Sequence, residues 1–148
     1  MNRTIKHSIF YPYRPAIVWE YLTKSDLMAQ WLMPNDFQPV VGHEFTFRIN
    51  PIPDFEFDGI LYCKVLELIP NKKLVYSWRG GPGNGKINLD SVVTWTLQEK
   101  NNGTELLLEH TGFMENVNIY KGMDKGWLEN MKKMNELIKI PANDTANT

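Results

Sequence analysis

The sequence predicts an α+β domain with a curved antiparallel sheet of about six strands. A long C-terminal helix lies across this sheet, and the domain also contains two short helices. Three observations predict this class. Apolar residues recur every three or four positions through residues 120–140, which indicates an amphipathic helix. Several earlier segments alternate apolar and polar residues, as half-buried strands do. Short turn sequences separate these segments, which favours antiparallel pairing.

The N-terminal elements are predicted to be one strand and two short helices. Residues 3–10 alternate enough to form the strand. Pro15 suits the first turn of a helix that continues through Leu22. Ser25 is placed to cap the second helix, which we expect to end before Pro34.

Five further strands are predicted from the period-two pattern and from the turn sequences between them. The strands are residues 44–49, 55–69, 74–78, 90–99 and 104–110. A bend is expected near Gly59 in the second of these segments. Asn101, Asn102 and Gly103 indicate a tight hairpin before the last strand.

The final helix has one wide apolar face. Its apolar positions are Met123, Trp127, Met131, Met134 and Ile138. A helix of roughly 20 residues is about 30 Å long, which is the width of a small domain. The helix therefore needs a broad apolar support, which the sheet is expected to provide, and Pro141 marks its end.

Length and composition indicate a single folded domain. The chain has 148 residues and is 43% hydrophobic and 12% aromatic, which argues against disorder. We expect the domain at residues 1–140 and a flexible polar tail at residues 141–148. Acids and bases are interspersed and the net charge is -1, so no nucleic-acid partner is expected.

The same composition suggests a cytoplasmic protein. No apolar run reaches the roughly 18 residues that cross a bilayer, so we expect no membrane insertion. Cys63 is the sole cysteine and excludes an internal disulfide. Together with the lack of a signal sequence, this favours the reducing cytoplasm.

The concave side of the sheet, beneath the final helix, is the expected ligand site. The candidate ligand-binding residues are Trp31, Phe45, Phe47, Tyr76, Trp78, Trp95, His110, Met123, Trp127 and Met131. Small-ligand sites are usually apolar cavities with a few placed polar groups. The same aromatic residues could instead pack against each other as solid core, and the sequence leaves both interpretations open.

Two loop patterns imitate ion or phosphate sites without completing them. Residues 80–86 match G-x-x-x-x-G-K, but Ile87 stands where magnesium binding needs Ser or Thr, and a strand follows instead of a helix. Residues 54–59 resemble the start of a calcium loop, but Val65 replaces its terminal carboxylate. We therefore predict a connecting loop at residues 80–86, and part of a strand at residues 55–59, where Phe55 and Phe57 alternate with polar residues.

The histidines and possible nucleophiles predict no metal site, no cofactor and no catalytic triad. His7, His43 and His110 lie far apart in sequence and lack metal-ligand spacing. His110 is expected to point inward, either as a hydrogen-bonded core residue or as a polar anchor for a ligand carbonyl or hydroxyl. Ser91 also points inward but lacks a nucleophile-elbow motif.

Several segments together resemble the Activator-of-Hsp90-ATPase-homologue-like (AHSA1-like) domains. They are residues 31–37 (WLMPNDF), 41–48 (VGHEFTFR), 65–70 (VLELIP), 73–78 (KLVYSW), 103–104 with 110–113 (HTGF), and 126–127 (GW). The resemblance extends over about residues 5–140. Within this family, the chain is similar to the bacterial stand-alone type. None of these motifs is catalytic, and their order and spacing carry the resemblance.

The resemblance implies the helix-grip fold of the START-like, Bet v1-like or SRPBCC superfamily. Members typically hold a lipid-like, polyketide-like or aromatic molecule between the sheet and the C-terminal helix. The eukaryotic namesake stimulates the Hsp90 ATPase and carries an extra N-terminal domain, for which we expect no room in this chain.

Three functions are consistent with these expectations. The first is non-catalytic binding of a small hydrophobic molecule, which is favoured by the aromatic residues expected to point inward from the sheet. The second is contact with a chaperone through the outer surface, in a stress response. The third is an enzyme of the cyclase or dehydratase type that uses His110 or Tyr76 in acid–base roles.

Overall fold

The predicted order of elements is confirmed. The computed structural model describes residues 3–113 and 117–139. The elements are β1 (Arg3–Tyr11), α1 (Pro15–Thr23), α2 (Ser25–Trp31), β2 (Glu44–Arg48), β3 (Ile60–Ile69), β4 (Lys73–Gly80), β5 (Leu89–Lys100), β6 (Gly103–Phe113) and α3 (Val117–Lys139). The predicted tail, residues 141–148, and the stop at Pro141 lie outside the described residues.

The strands form a 6-stranded antiparallel sheet in the order β1-β6-β5-β4-β3-β2. Strands β2 to β6 follow one another as a meander, and β1 joins the far edge by pairing with β6. Asn101 and Asn102 both have positive φ angles, of 50° and 64°, in the tight β5–β6 turn. Gly103 is required there because a Cβ atom would lie 2.5 Å from the carbonyl oxygen of Tyr11.

Several predicted boundaries differ from the observed ones, and two of these differences have a clear physical reason. The strand predicted over residues 55–69 begins only at Ile60, because Pro53–Phe55 forms a 3-10 turn and Glu56 adopts a left-handed backbone. The long helix begins at Val117 rather than at residue 120. Its apolar periodicity marks the face that packs, and the helical backbone extends beyond that face.

The predicted cap of α2 is also wrong. Lys24 occupies the cap position, and Ser25 is the first helical residue. The Ser25 hydroxyl donates a hydrogen bond of 2.8 Å to the carbonyl oxygen of Asn35, and the Asn35 amide donates back to the carbonyl oxygen of Ser25. The pair fixes the turn after α2 instead of the start of the helix.

Helix α3 packs its apolar face against the sheet, as the periodicity predicts. Trp127, Met131, Met134 and Ile138 are all buried. The Tyr11 hydroxyl of β1 donates a hydrogen bond of 2.7 Å to the carbonyl oxygen of Met131. This bond fixes the middle of the helix over one edge strand. Among the described residues, no helix is long and apolar enough to span a membrane.

Candidate functional site

A cavity of about 330 Å³ lies between the first half of α3, the residues after α2 and the β3–β4 part of the sheet. Its wall consists of Leu32, Met33, Ile49, Ile52, Phe57, Leu61, Trp78, Gly80, Asn88, Leu89, Gly122, Met123, Gly126, Trp127 and Asn130. Ile49, Asn88 and Gly122 are exposed and place the mouth of the cavity at the surface. Most of the wall is apolar, as is usual in small-ligand sites.

Three of the predicted ligand-binding residues, Trp78, Met123 and Trp127, line this cavity. The other predicted residues are buried in the core and lie outside the cavity wall as far as the described chain shows. They are Trp31, Phe45, Phe47, Tyr76, Trp95, His110 and Met131. The sequence left open whether the aromatic residues line a cavity or form solid core. Most of them form solid core, and the cavity lies at one end of this core.

The aromatic core supports the cavity wall through edge-to-face and tilted ring contacts. The ring centroids of Phe45 and Phe47 are 5.3 Å apart, and those of Phe47 and Trp78 are also 5.3 Å apart. Trp78 and Trp127 follow at 5.1 Å. The two wall tryptophans therefore belong to a packed array of aromatic rings. Ring contacts of this kind stabilise the folded state in addition to the free energy gained by burying apolar area.

His110 is a hydrogen-bonded core histidine whose proton position can be derived. The indole Nε1–H of Trp127 donates to His110 Nδ1 over 2.9 Å. An indole nitrogen can only donate, so Nδ1 is an acceptor and the neutral ring carries its proton on Nε2. That proton is donated to Ser91 Oγ, 2.8 Å away, and the Ser91 hydroxyl donates to the carbonyl oxygen of Trp78 at 2.8 Å.

The direction of these hydrogen bonds opposes activation of Ser91 by His110. A serine nucleophile needs a histidine nitrogen that accepts its proton, and here that nitrogen is already a donor. Burial lowers the pKa of His110 to about 3, so the ring is neutral at ordinary pH. The sequence did not predict that Ser91 and His110 meet.

Two other potential acid–base groups are held in their protonated forms. Burial raises the pKa of the Tyr76 phenol above its ordinary value, and its oxygen accepts a hydrogen bond of 2.9 Å from the Trp95 indole. Burial also raises the pKa of the Cys63 thiol. Neither residue lines the cavity beneath α3.

The loop patterns have structural roles in the described chain. The glycine-rich loop after β4 leads into β5, without a helix that could face a phosphate. The Asp58 carboxylate accepts a hydrogen bond from the Ile60 backbone N–H at the start of β3. No group of three or more metal-ligating side chains occurs among residues 3–113 and 117–139.

The comparisons with known proteins identify the family. The family model described as "Activator of Hsp90 ATPase homolog 1-like protein" matches residues 12–139. The chain belongs to this family. The resemblance inferred from the sequence motifs is thereby confirmed, and the six-stranded sheet with its C-terminal helix is the helix-grip fold. No match is found among curated proteins.

Several solved structures share the fold of this AHSA1-like domain. Protein MLL2253 from Mesorhizobium loti is 35% identical, with 93% of this chain and 97% of that chain covered and a TM-score of 0.83. The Aha1 dimer from Colwellia psychrerythraea is 22% identical, with coverage of 90% and 94% and a TM-score of 0.73. DynU16, from the dynemicin biosynthetic locus, is 19% identical, with coverage of 92% and 47% and a TM-score of 0.75.

Several wall residues of this AHSA1-like domain were missed by sequence reasoning. Ile49, Ile52 and Phe57 reach the cavity from the segment between β2 and β3. Ile49 and Phe57 belong to alternating segments predicted as strands, but alternation alone did not indicate that they border open space. Gly122 and Gly126 could have been noticed, because they lie four residues apart and thus on one face of the predicted helix. Glycine is unfavourable within a helix, so a spaced pair requires an explanation.

Gly126 leaves open space at the cavity wall, since a Cβ atom added there would meet nothing within 4 Å. We expect Gly126→Ala to raise the free energy of unfolding in urea by about 0.5–1 kcal/mol, because alanine is the better helix former. Gly103→Ala is the opposing control and should lower it, since its Cβ atom has no room. A loss of stability in Gly126→Ala would show that the space is not open.

Proposed function

We propose that this AHSA1-like protein binds a small hydrophobic molecule in the cavity beneath α3, without catalysing a reaction. The observation that carries the proposal is the apolar cavity of about 330 Å³, which lies within the range of roughly 300–1,000 Å³ typical of ligand sites. The candidate ligands are lipid-like, polyketide-like or aromatic, and the cytoplasm is the proposed location. The fold shared with DynU16, from a biosynthetic locus, is compatible with such a ligand.

The chemistry around the cavity supports binding rather than turnover. An enzyme of the cyclase or dehydratase type would need an acid or base that reaches the ligand. His110 and Tyr76, the residues proposed from sequence for those roles, lie in the core outside the wall. The hydrogen bonds of His110 also direct its proton away from the role of a base.

Thermal denaturation with a panel of lipid-like, polyketide-like and aromatic compounds tests the proposal. A ligand at 100 times its Kd stabilises the folded state by about 2.7 kcal/mol, so a dose-dependent rise in Tm is expected for at least one class. Gly126→Phe should abolish the rise, because the new ring enters the open space at the wall.

Lys132→Phe is the matched control, since it adds the same ring to an exposed position of α3 outside the cavity wall. It should respond to ligand as the unaltered protein does. The proposal is wrong if no compound class raises Tm, or if Gly126→Phe and Lys132→Phe respond equally.

Chaperone contact is the second candidate, and the description of the matched family favours it. Such a contact would use the outer surface of the domain, so filling the cavity would not change it. Hsp90 ATPase rates with the unaltered protein and with Gly126→Phe decide between the two. An equal change in rate from both proteins would support surface contact, and no change from either would remove this candidate.

A further inference from the structure

One buried tryptophan at the cavity wall has an unsatisfied hydrogen-bond donor. The indole N–H groups of Trp31, Trp95 and Trp127 donate to Tyr21 O, Tyr76 Oη and His110 Nδ1, at 2.8, 2.9 and 2.9 Å respectively. Trp78 is equally buried, yet its Nε1 has no hydrogen-bond partner in the described part of the chain. Buried donors are nearly always paired, so this exception requires an explanation.

Trp78 differs from Trp31 and Trp95 in position as well. It forms part of the cavity wall, whereas those two lie in the core away from it. Its ring is held by contacts with Phe47, His110 and Trp127, at centroid distances of 5.3, 5.4 and 5.1 Å. The indole ring is therefore fixed at the cavity wall with its donor unpaired and covered. A few polar groups held in an apolar wall are what orient a ligand in such sites.

The cavity wall lacks ionisable side chains among the residues that the structure describes. Its polar side chains are Asn88, Asn130 and the two indoles. Trp127 uses its indole N–H within the protein, since it donates to His110. A charged ligand group would lose its hydration here without gaining a countercharge, which is strongly unfavourable.

From this geometry we infer that the ligand is an uncharged molecule with a hydrogen-bond acceptor, such as a ketone, ester or amide carbonyl, and that Trp78 Nε1–H donates to that acceptor. The inference rests on the proposed function and specifies the class of ligand. The nitrogen is closed off from solvent, so the acceptor reaches it with a small movement of the wall.

Three two-ring probes of similar size test the inference by calorimetry or fluorescence titration. Benzophenone carries a carbonyl, diphenylmethane replaces it with a methylene, and 4-benzoylbenzoate adds a negative charge. A neutral hydrogen bond gained in the cavity should make benzophenone bind about three- to tenfold tighter than diphenylmethane. 4-Benzoylbenzoate should bind more weakly than benzophenone.

Indole proton resonances provide a direct readout of the donor. The chain has 5 tryptophans, so the spectrum of ¹⁵N-labelled protein should contain that number of indole signals. Benzophenone should move the Trp78 signal downfield and slow its exchange with water, and diphenylmethane should do so much less. The signals of Trp31 and Trp95 serve as internal references, because both donors are already paired.

Trp78→Phe removes the donor and should reduce the affinity ratio of benzophenone to diphenylmethane to about one. Trp31→Phe is the matched control, since it truncates a buried tryptophan outside the cavity wall and should keep the ratio. If Trp78→Phe does not fold, the shift of the Trp78 indole signal in the unaltered protein still tests whether the donor binds the carbonyl.

The outcomes distinguish failure of the inference about Trp78 from failure of the proposed ligand-binding function. Equal affinities for benzophenone and diphenylmethane, with an unmoved Trp78 signal, would overturn the inference and leave the cavity proposal intact. Binding of 4-benzoylbenzoate as tight as that of benzophenone would overturn the requirement for an uncharged ligand. If neither neutral probe binds and the compound panel also fails to raise Tm, the proposed function falls as well.

Discussion

Trp127→Ala is expected to lower the free energy of unfolding by about 3–5 kcal/mol, as large aromatic-to-alanine changes in cores do. The ring is 3% exposed and contacts both Trp78 and Trp95. Its loss leaves a void and also leaves His110 Nδ1 without the indole donor. Urea denaturation followed by circular dichroism measures the change.

Two variants separate packing from hydrogen bonding in this result. Trp127→Phe keeps an aromatic ring but removes the donor to His110, and should cost about 1–3 kcal/mol. Tyr62→Ala removes an exposed ring from β3 and should change stability by less than about 0.5 kcal/mol. A cost below about 1 kcal/mol for Trp127→Ala would contradict the packing of α3 against the sheet through this residue.

Mild acid should destabilise the fold through His110. Its pKa is about 3 in the folded protein, compared with about 6.5 for an exposed histidine. Between these values the unfolded chain binds a proton that the folded chain does not, so stability is complete above about pH 6.5 and falls as the pH drops. The loss is about 1.4 kcal/mol per pH unit, or about 2 kcal/mol at pH 5.

The contribution of His110 can be isolated by measuring urea denaturation between pH 7 and pH 5. The pKa of Glu105 is also lowered, first by the Ser8 hydroxyl and then by Lys100, but a carboxylate with an ordinary pKa near 4.5 affects stability mainly below this interval. His110→Gln cannot titrate and should show a flatter pH dependence than the unaltered protein. Identical slopes would contradict a buried neutral imidazole.

The element order was predictable because each element has its own local pattern. The alternating residues of β5 and β6, the Asn101–Asn102 turn and the apolar face of α3 are all set by residues close in sequence. A bend near Gly59 was expected, but the alternation of residues 55–59 did not show that β3 begins only after it. The start of β3 depends on the 3-10 turn at Pro53–Phe55 and on Gly59, whose added Cβ atom would collide with the carbonyl oxygen of Ile49 from another segment.

The candidate site was predictable only in part, because alternation shows which side of a strand is inward but not where the interior stays open. Phe45 and Tyr76 point inward as predicted and pack against each other, with their ring centroids 5.5 Å apart. Trp78 points inward as well and borders open space. The difference arises from the glycines of α3 and from loop residues that approach from distant parts of the chain.

The contact between Ser91 and His110 was unpredictable for a related reason. The sequence placed both side chains on the inward side, but their contact depends on strand register, which pairs His110 with Val93. Ser91 then lies diagonally opposite on the same face of the sheet. The direction of the proton further depends on Trp127, which a helix from the end of the chain supplies.

A crystal structure of the protein soaked with benzophenone tests the central claim most directly. We expect density for the two rings beneath α3, bounded by Trp78, Met123 and Trp127, with the carbonyl oxygen about 2.9 Å from Trp78 Nε1. Density only at the outer surface, or a cavity closed by its own side chains, would contradict the proposal that this fold holds a small molecule between its sheet and its last helix.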